Sequence, residues 1–365
     1  MVLKDAVMTP NDLFNGLLAS CRLRVRPTRH PAPNNDPMRR LLLATLLAIC
    51  SCSSTNRANE SIKPPTRAPE SLVGDEIVVC GERYHIGAPV VLWTDVDGYD
   101  ATSTAILRDE VPDNVNPMNG LRYTPGRVTR DGEVLVPPDS TDVAQLAEAV
   151  DLFVLHYDVA GTSRTCFRVL QEMRGLSVHF MLDIDGTIYQ TLDLRERAWH
   201  ASQANTRSIG VEIAQMGART IDKARELEGW YVHNGEQTFL TLPEGYGDGG
   251  VRTPGYRGTA ARPGLIHGAI HGTQLVQFDY TPEQYDSLIK LIAGVSRVLP
   301  RIDPDAPRGP DGRVLKRALT EAEYDDFSGV IGHYHLTTNK IDPGPAFDWD
   351  GVLYGVRREL RTRPD

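Results

Sequence analysis

The chain has 365 residues, a formal net charge of -9, and hydrophobic and charged fractions of 41% and 24%. This composition is typical of a soluble globular protein that can bury a sizeable core. The acidic balance, and the lack of any basic reading motif in the sequence, exclude nucleic acid as the expected partner.

The first predicted element is a secretory leader. A basic pair, Arg39-Arg40, precedes an apolar run over residues 41–49, which is too short to span a bilayer as a helix. Ser51-Cys52 follows, and a small residue before a cysteine resembles the end of a bacterial lipoprotein signal. The sequence therefore predicts lipidation of Cys52, a membrane anchor, and a place in the outer membrane facing the periplasm. An ordinary cleaved signal peptide is the alternative.

The segments before the main body differ in composition. Because a complete signal begins at Met38, we expect the true start there, and residues 1–52 are interpreted as a leader. Residues 53–72 are rich in Ser, Asn, Pro, Thr and Arg and are predicted to form a disordered tether. Residues 73–149 contain two strand-like apolar runs and then lose periodicity, which indicates an extension packed on the main body.

The main body, residues 150–365, has the pattern of an α/β domain. Residues 152–155 form an unbroken apolar run, as in a strand buried on both faces. A helix is predicted over 163–174, then a hairpin turning at Asp185-Gly186, then a strand over 209–213. We therefore expect a single domain with a mixed central β-sheet flanked by helices.

The second half of this domain begins with many glycines and prolines. Residues 217–277 are accordingly predicted to be a long loop insertion. A helix is predicted to start at Thr281-Pro282, with threonine as the cap and proline in the first turn. A short helix near Glu321, a strand over 330–332 and a closing helix over 347–360 complete the predicted elements.

Three residues of zinc-ligand type stand out along this pattern. His156 and His333 directly follow apolar strands, and Asp342 lies in a later loop. Catalytic zinc usually takes three protein ligands and leaves one position for water, whose pKa it lowers towards neutrality. A histidine at a strand end is more often structural, so these residues alone leave both interpretations open.

Five segments then occur in a fixed order. They read VLHY at 154–157, VHFMLDIDGTIYQ at 178–190, AWHA at 198–201, NTRSIGVEI at 205–213, and GH at 332–333 with KIDPGP at 340–345. In this order they resemble the type 2 N-acetylmuramoyl-L-alanine amidases, the family of the phage-lysozyme-type amidases and the animal peptidoglycan recognition proteins. The resemblance covers roughly residues 150–216 and 280–360.

The resemblance implies a function and roles for particular residues. The zinc ligands that it implies are His156, His333 and Asp342. Glu212 matches the general base, and Lys340 matches a cation that stabilises the oxyanion. Other branches use a tyrosine as the base, at a strand position where this chain has Val178. The implied reaction is hydrolysis of the bond between N-acetylmuramic acid and L-alanine in peptidoglycan or in muropeptides.

Several alternatives stay open at this point. Asp342 lies nine residues after His333, closer than the resemblance leads us to expect, so His335 is an alternative ligand that would share a strand face with His333. His200 follows Trp199 in a loop that borders the cleft in this family, and it is either a contact to the peptide stem or structural. Period-2 alternation places Glu212 opposite its apolar neighbours, facing either a cleft or solvent.

Two rival functions remain, and so does the question of whether two cysteines form a disulfide. The fold could serve as a peptidoglycan-binding module without catalysis, or the zinc amidase could act on some other amide. Cys80 and Cys166 are the cysteines that follow the predicted leader. An oxidising compartment permits a disulfide between them, and two buried free thiols are the alternative.

Overall fold

Strands and helices alternate along the chain in the computed structural model, which describes residues 74–104 and 120–362. The predicted leader and tether lie outside the described residues. The strands are, in chain order, β1 (Gly74–Val79), β2 (Glu82–Leu92), β3 (Tyr123–Thr124), β4 (Arg127–Val128), β5 (Val134–Val136), β6 (Leu152–Tyr157), β7 (Phe180–Leu182), β8 (Ile188–Gln190), β9 (Arg197–Ala198), β10 (Ser208–Ile213), β11 (Arg219–Thr220), β12 (Tyr231–His233), β13 (Thr238–Leu240), β14 (Ile266–Ile270), β15 (Thr273–Gln277) and β16 (Gly329–Gly332). The α-helices are α1 (Val143–Ala149), α2 (Ser163–Arg168), α3 (Pro282–Val298), α4 (Glu321–Asp326) and α5 (Trp349–Arg361).

A mixed seven-stranded sheet with the order β1-β2-β8-β7-β10-β6-β16 forms the centre. β7, β10, β6 and β16 run parallel to one another, whereas β8 is antiparallel to β7. β1 and β2 come from the segment 73–149 and extend the sheet beyond β8. The predicted fold class, a mixed central sheet flanked by helices, is confirmed.

The two faces of this sheet bury different sets of side chains. Ile209, Val211 and Ile213 alternate along β10 and pack in a core with apolar residues of α3 and α5. Met181 of β7 lies on the opposite face, where it packs with Cys166 of α2. Each such apolar side chain contributes about 1.5–3 kcal/mol when it is fully buried. The period of two residues thus separates the core beneath α3 and α5 from the face that carries α2 and the site.

Local sequence signals define the helix ends. Thr281 caps α3, because its Oγ1 accepts a hydrogen bond from the N–H of Gln284 while Gln284 Oε1 accepts one from the N–H of Thr281. α2 continues into a π-helical turn over Val169–Arg174 and ends at Gly175, whose φ of 59° is left-handed. Both helices were predicted from these residues, and their bounds agree with the prediction to within a few residues.

The insertion, residues 217–277, carries its own short strands. β11, β15 and β14 form a three-stranded sheet, and β12 pairs with β13 in a hairpin. The Gly and Pro residues that suggest a loop mark the tight turns between these strands, as at Gly272, where φ is 76°. The composition therefore identified the turns but not the strands between them.

The two cysteines of the described residues are both free and buried. They lie in different apolar clusters, Cys80 with the main core and Cys166 with α2. Burial raises the pKa of the Cys80 thiol to about 11, which suppresses the reactive thiolate. The structure therefore agrees with the free-thiol alternative.

The buried carboxyl group of Asp183 should make the free energy of unfolding depend on pH. Its Oδ1 accepts a hydrogen bond from the N–H of Ile184 at 2.8 Å, and burial, reinforced by Asp185, raises its pKa from 3.8 to about 8. The folded state thus keeps a proton that the unfolded chain loses, so the stability from this site falls as pH rises from about 4 to about 8.

We expect urea unfolding to show this loss, with a slope from Asp183 of at most about 1.4 kcal/mol per pH unit. Asp183→Asn should remove the slope, whereas Asp185→Asn, at a partly exposed turn position, should largely keep it. An unchanged pH dependence in Asp183→Asn would contradict this assignment.

Candidate active site

The site forms where two adjacent parallel strands end. Gly332, the last residue of β16, is the register partner of Leu155 in β6, so the residues that follow, His333 and His156, lie side by side. The loop after His333 returns to the same place and brings Asp342 beside both. The carboxyl ends of parallel strands are a common position for binding sites. The structure therefore brings His156 together with His333 and Asp342, which lie 177 and 186 positions later in the sequence.

The three side chains meet in a small triangle. His156 Nδ1 lies 2.9 Å from His333 Nδ1, and each of these nitrogens lies 3.0 Å from Asp342 Oδ2. The residues are 2%, 8% and 6% exposed, respectively. Within the described ranges, this is the group of three or more His, Cys, Asp or Glu side chains whose ligand atoms come together.

The chemistry of this triangle fits a metal ion. Two imidazole nitrogens and one carboxylate oxygen converge within 4.8 Å of one another. Burial, together with the charge of His333, lowers the pKa of His156 to about 4, so its ring is neutral at neutral pH. Burial alone would raise the pKa of Asp342, but the neighbouring histidines hold it well below its ordinary value. Two imidazoles and a carboxylate are a typical ligand set of catalytic zinc.

His335 is turned away from this triangle. β16 ends at Gly332, and His333–His335 form a 3-10 turn, so the two-residue period of a strand no longer applies. His335 Nδ1 accepts a hydrogen bond from the N–H of Gly332 at 2.9 Å, and its Nε2 donates to the carbonyl of Leu315 at 2.7 Å. The expectation that His335 shares a strand face with His333 is wrong, because the strand ends before both residues. Both ring nitrogens of His335 have partners outside the triangle.

His200 contacts the edge of the His156 ring that points away from the triangle. The two rings are joined by a contact of 3.0 Å between His156 Nε2 and His200 Nδ1, and His200 Nε2 lies 3.3 Å from Ser208 Oγ. If Nδ1 of His156 faces the metal, its Nε2–H donates to His200, which in turn donates to Ser208. Gly210 leaves room for the His200 ring, since a Cβ there would collide with it. A contact of His200 with the peptide stem stays a prediction.

With zinc in the triangle, this geometry would make His200 a positioning residue for His156. We expect His200→Ala to weaken zinc binding about 10- to 100-fold, as is usual when the outer partner of a metal-bound histidine is lost. Titration of the metal-free protein with zinc against a chromogenic chelator measures this change. His267→Ala, at an exposed position, serves as the control. Equal affinity in His200→Ala and the control would refute the positioning role.

Glu212 occupies the face of the sheet that carries His156. It is the register partner of His156 on one side and of Met181 on the other, and its side chain is partly exposed. Burial, followed by the charges of Asp342 and Asp158, raises its pKa well above the ordinary value, while Lys340 opposes the shift. The structure thus places Glu212 beside the triangle, with Lys340 near enough to act on the charge of its carboxyl group.

Arg127 supports this region but was not singled out by the sequence. Its side chain is fully buried, and its guanidinium donates to the carbonyls of Asn205 and Ser208 at 3.0 and 2.8 Å and to that of Leu194 at 2.6 Å. Burial lowers its pKa to about 9. Arg127 thereby fixes the segment 194–208, which includes His200. One arginine in an aperiodic segment gives no sequence signal of such a role.

A family model described as N-acetylmuramoyl-L-alanine amidase (Amidase_2) matches residues 146–345, more than half of the chain. The chain belongs to this amidase family. Membership confirms the resemblance drawn from the sequence motifs and supports an amidase activity on peptidoglycan. The matched residues include the whole triangle, Glu212 and Lys340 of this amidase.

Solved amidase structures are distant in sequence. A selenomethionine derivative of AmpD is 18% identical, with 64% of this chain and 91% of AmpD covered and a TM-score of 0.30. The amidase AmiD from E. coli, in complex with the substrate anhydro-N-acetylmuramic acid-L-Ala-D-gamma-Glu-L-Lys, is 16% identical, with 63% and 65% covered and a TM-score of 0.33. The endolysin amidase LysCS from Clostridium intestinale is 12% identical, with 58% and 86% covered and a TM-score of 0.29. A search of curated proteins gave no match. The family assignment of this amidase therefore rests on the family model.

Proposed function

We propose that this amidase is zinc-dependent and hydrolyses the amide bond between N-acetylmuramic acid and L-alanine. The observation that carries the proposal is the buried triangle of His156, His333 and Asp342, with Glu212 on the adjacent strand. Family membership supports the peptidoglycan bond as the target. The donor set of the triangle supports zinc as the metal.

Glu212 and Lys340, which lie beside the triangle, then have chemical roles. Zinc, when bound, acts as a Lewis acid and lowers the pKa of the water that it binds towards neutrality. Glu212 takes a proton from the attacking water and later delivers it to the leaving amine of L-alanine. Lys340 places a positive charge where negative charge grows on the carbonyl oxygen, a contribution that is often large in amide hydrolysis.

The rival functions predict different outcomes in one experiment. A peptidoglycan-binding module would need only the fold, yet the chain retains a complete ligand set together with Glu212 and Lys340. Metal analysis of the purified protein, followed by digestion of peptidoglycan and of anhydro-muropeptides, separates the cases. We expect bound zinc and free L-alanine amino termini, identified by mass spectrometry of the products. Binding without cleavage would support the module, and cleavage of other amides alone would support a different specificity.

We further propose that the protein is a lipoprotein of the outer membrane that faces the periplasm. The proposal rests on the basic pair, the apolar run and Ser51-Cys52, which lie outside the described residues. No helix in residues 74–104 or 120–362 is long and apolar enough to cross a bilayer. Cys52→Ala should release the protein from the membrane fraction. A soluble wild-type protein with an unmodified amino terminus would refute the anchor.

A further inference from the structure

The insertion, residues 217–277, contacts the loop that carries two of the proposed site residues. This loop, residues 340–346, contains Asp342 and Lys340 and is called the ligand loop below. The described structure assigns no helix or strand to these residues, so their position depends on hydrogen bonds to other parts of the chain. The hairpin of β14 and β15 supplies several of these bonds.

Gln277, the last residue of β15, holds the centre and the end of the ligand loop. It is fully buried, its Nε2 donates to the carbonyl of Pro343 at 3.1 Å, and its Oε1 accepts from the N–H of Ala346 at 3.0 Å. Gly344 has a φ of 85°, and a Cβ at this position would collide with the Gln277 amide. Both halves of one amide are therefore engaged by the backbone that follows Asp342.

Two further side chains reinforce these contacts. The buried Tyr280 donates its hydroxyl to the carbonyl of Pro343 at 2.7 Å. At the tip of the hairpin, His271 Nε2 donates to the carbonyl of Lys340 at 2.9 Å. The backbone N–H of His271 donates to the carbonyl of Lys316 at 2.8 Å, which fixes the tip itself. The backbone of the ligand loop is thus held on both sides of Asp342, at Lys340 before it and at Pro343 and Ala346 after it.

Packing adds a steric constraint between the hairpin and the ligand loop. Gly268 of β14 lies so close to Pro345 that a Cβ at this glycine would stand 2.7 Å from the proline Cβ. The loop therefore rests on the hairpin backbone as well as on its side chains. Loss of Gln277 would leave a buried carbonyl and a buried N–H with fewer partners, which favours displacement of the loop.

We propose that the β14–β15 hairpin of the insertion is a clamp that sets the position of Asp342 for metal binding. Gln277 and His271 are its positioning residues, and neither belongs to the metal-ligand triangle. The affinity for zinc then depends on the insertion as well as on the triangle. This inference rests on the proposed zinc centre. It gives the insertion a role in building the site, in addition to any contact with the glycan or the peptide.

The test compares four variants of the full chain by their zinc affinity. Gln277→Met keeps the volume but loses both hydrogen bonds, Tyr280→Phe loses one, and His271→Ala loses the contact to Lys340. His267→Ala is the matched control, because this side chain is exposed on the same hairpin and makes no hydrogen bond in the described structure. Dissociation constants come from competition with a chromogenic chelator, and circular dichroism of the metal-free proteins reports on folding.

We expect Gln277→Met to raise the dissociation constant for zinc by up to about 10- to 100-fold, the range for groups that hydrogen-bond a metal ligand directly. His271→Ala and Tyr280→Phe should cause smaller increases, and their combination a larger one. The His267→Ala control should bind zinc as the wild type does, and the thermal unfolding of metal-free His271→Ala should match that of the wild type.

The possible failures are distinguishable. A wild-type protein that binds no zinc would refute the proposed function and, with it, the clamp. A wild-type protein that binds zinc, together with clamp variants of unchanged affinity, would refute the clamp and leave the zinc centre standing. Should Gln277→Met fail to fold, His271→Ala still decides the question, since it removes a single hydrogen bond between the hairpin and the ligand loop.

Discussion

Replacing Glu212 by glutamine is expected to lower kcat by about 10²- to 10⁴-fold while zinc stays bound, because a general base contributes about that much to the rate. Glutamine keeps the shape of the side chain but cannot accept and return a proton. Glu212 does not belong to the triangle of ligand atoms, so the metal content should not change. Muropeptide hydrolysis followed by mass spectrometry, with metal analysis of the same sample, measures both quantities.

The control for this prediction is a glutamate of the same sheet without a proposed role. Glu82 is exposed at the start of β2, and Glu82→Gln should leave both kcat and zinc content unchanged. Glu212→Ala should resemble Glu212→Gln in activity. Retention of most of the activity by either Glu212 variant would show that another group takes the proton from water.

Replacing Asp342 by alanine is expected to release the metal. Removal of a direct ligand should weaken zinc binding by more than the roughly 100-fold loss seen for outer partners. The two histidines that remain in the triangle carry no negative charge to balance the ion. Zinc titration of the metal-free variant against a chelator measures the change, and hydrolysis should be lost with the metal.

Thermal unfolding gives a second measurement for Asp342. A ligand that binds only the folded state stabilises it by about 2.7 kcal/mol at a concentration 100 times its dissociation constant. Zinc should therefore raise the unfolding temperature of the wild type but not that of Asp342→Ala. Asp350→Asn, at an exposed position of α5, should respond to zinc as the wild type does. A zinc response that persists in Asp342→Ala would contradict its assignment as a ligand.

Comparison of the Glu212 and Asp342 variants distinguishes a metal ligand from a general base. The proposed site predicts zinc without hydrolysis for Glu212→Gln, and neither zinc nor hydrolysis for Asp342→Ala. Loss of zinc in both variants would indicate that Glu212 supports the metal. Retention of zinc in both would indicate that the ion binds elsewhere in the chain.

Local patterns in the sequence were sufficient for most elements of the fold. The apolar run of β6, the Thr281-Pro282 cap of α3 and the Gly175 stop after α2 each express a short-range preference that the tertiary structure keeps. Alternation along β10 predicted that Glu212 faces away from the apolar core, and the structure agrees. The irregular segments were harder to predict, since β11, β12 and β13 have only two or three residues, too few to show a period.

The residue types of the site were also present in the sequence, as two histidines after strands and an aspartate in a later loop. Motif order linked them to an amidase family, and the family match confirms that link. The choice between His333 and His335 was different. It depended on whether the chain continues as a strand or turns after Gly332, and that turn is stabilised by the distant carbonyl of Leu315.

The sequence by itself determined the longer elements of the central sheet and its helices, the helix caps and the chemistry available to the chain, because these depend on neighbouring residues. Only the tertiary structure decided which of those residues meet. Arg127 fixes a segment 67 to 81 positions away, and Gln277 holds a loop 66 to 69 positions away. Such contacts arise from the packing of an extension and an insertion on the central sheet, and no short-range pattern encodes a pairing over that distance.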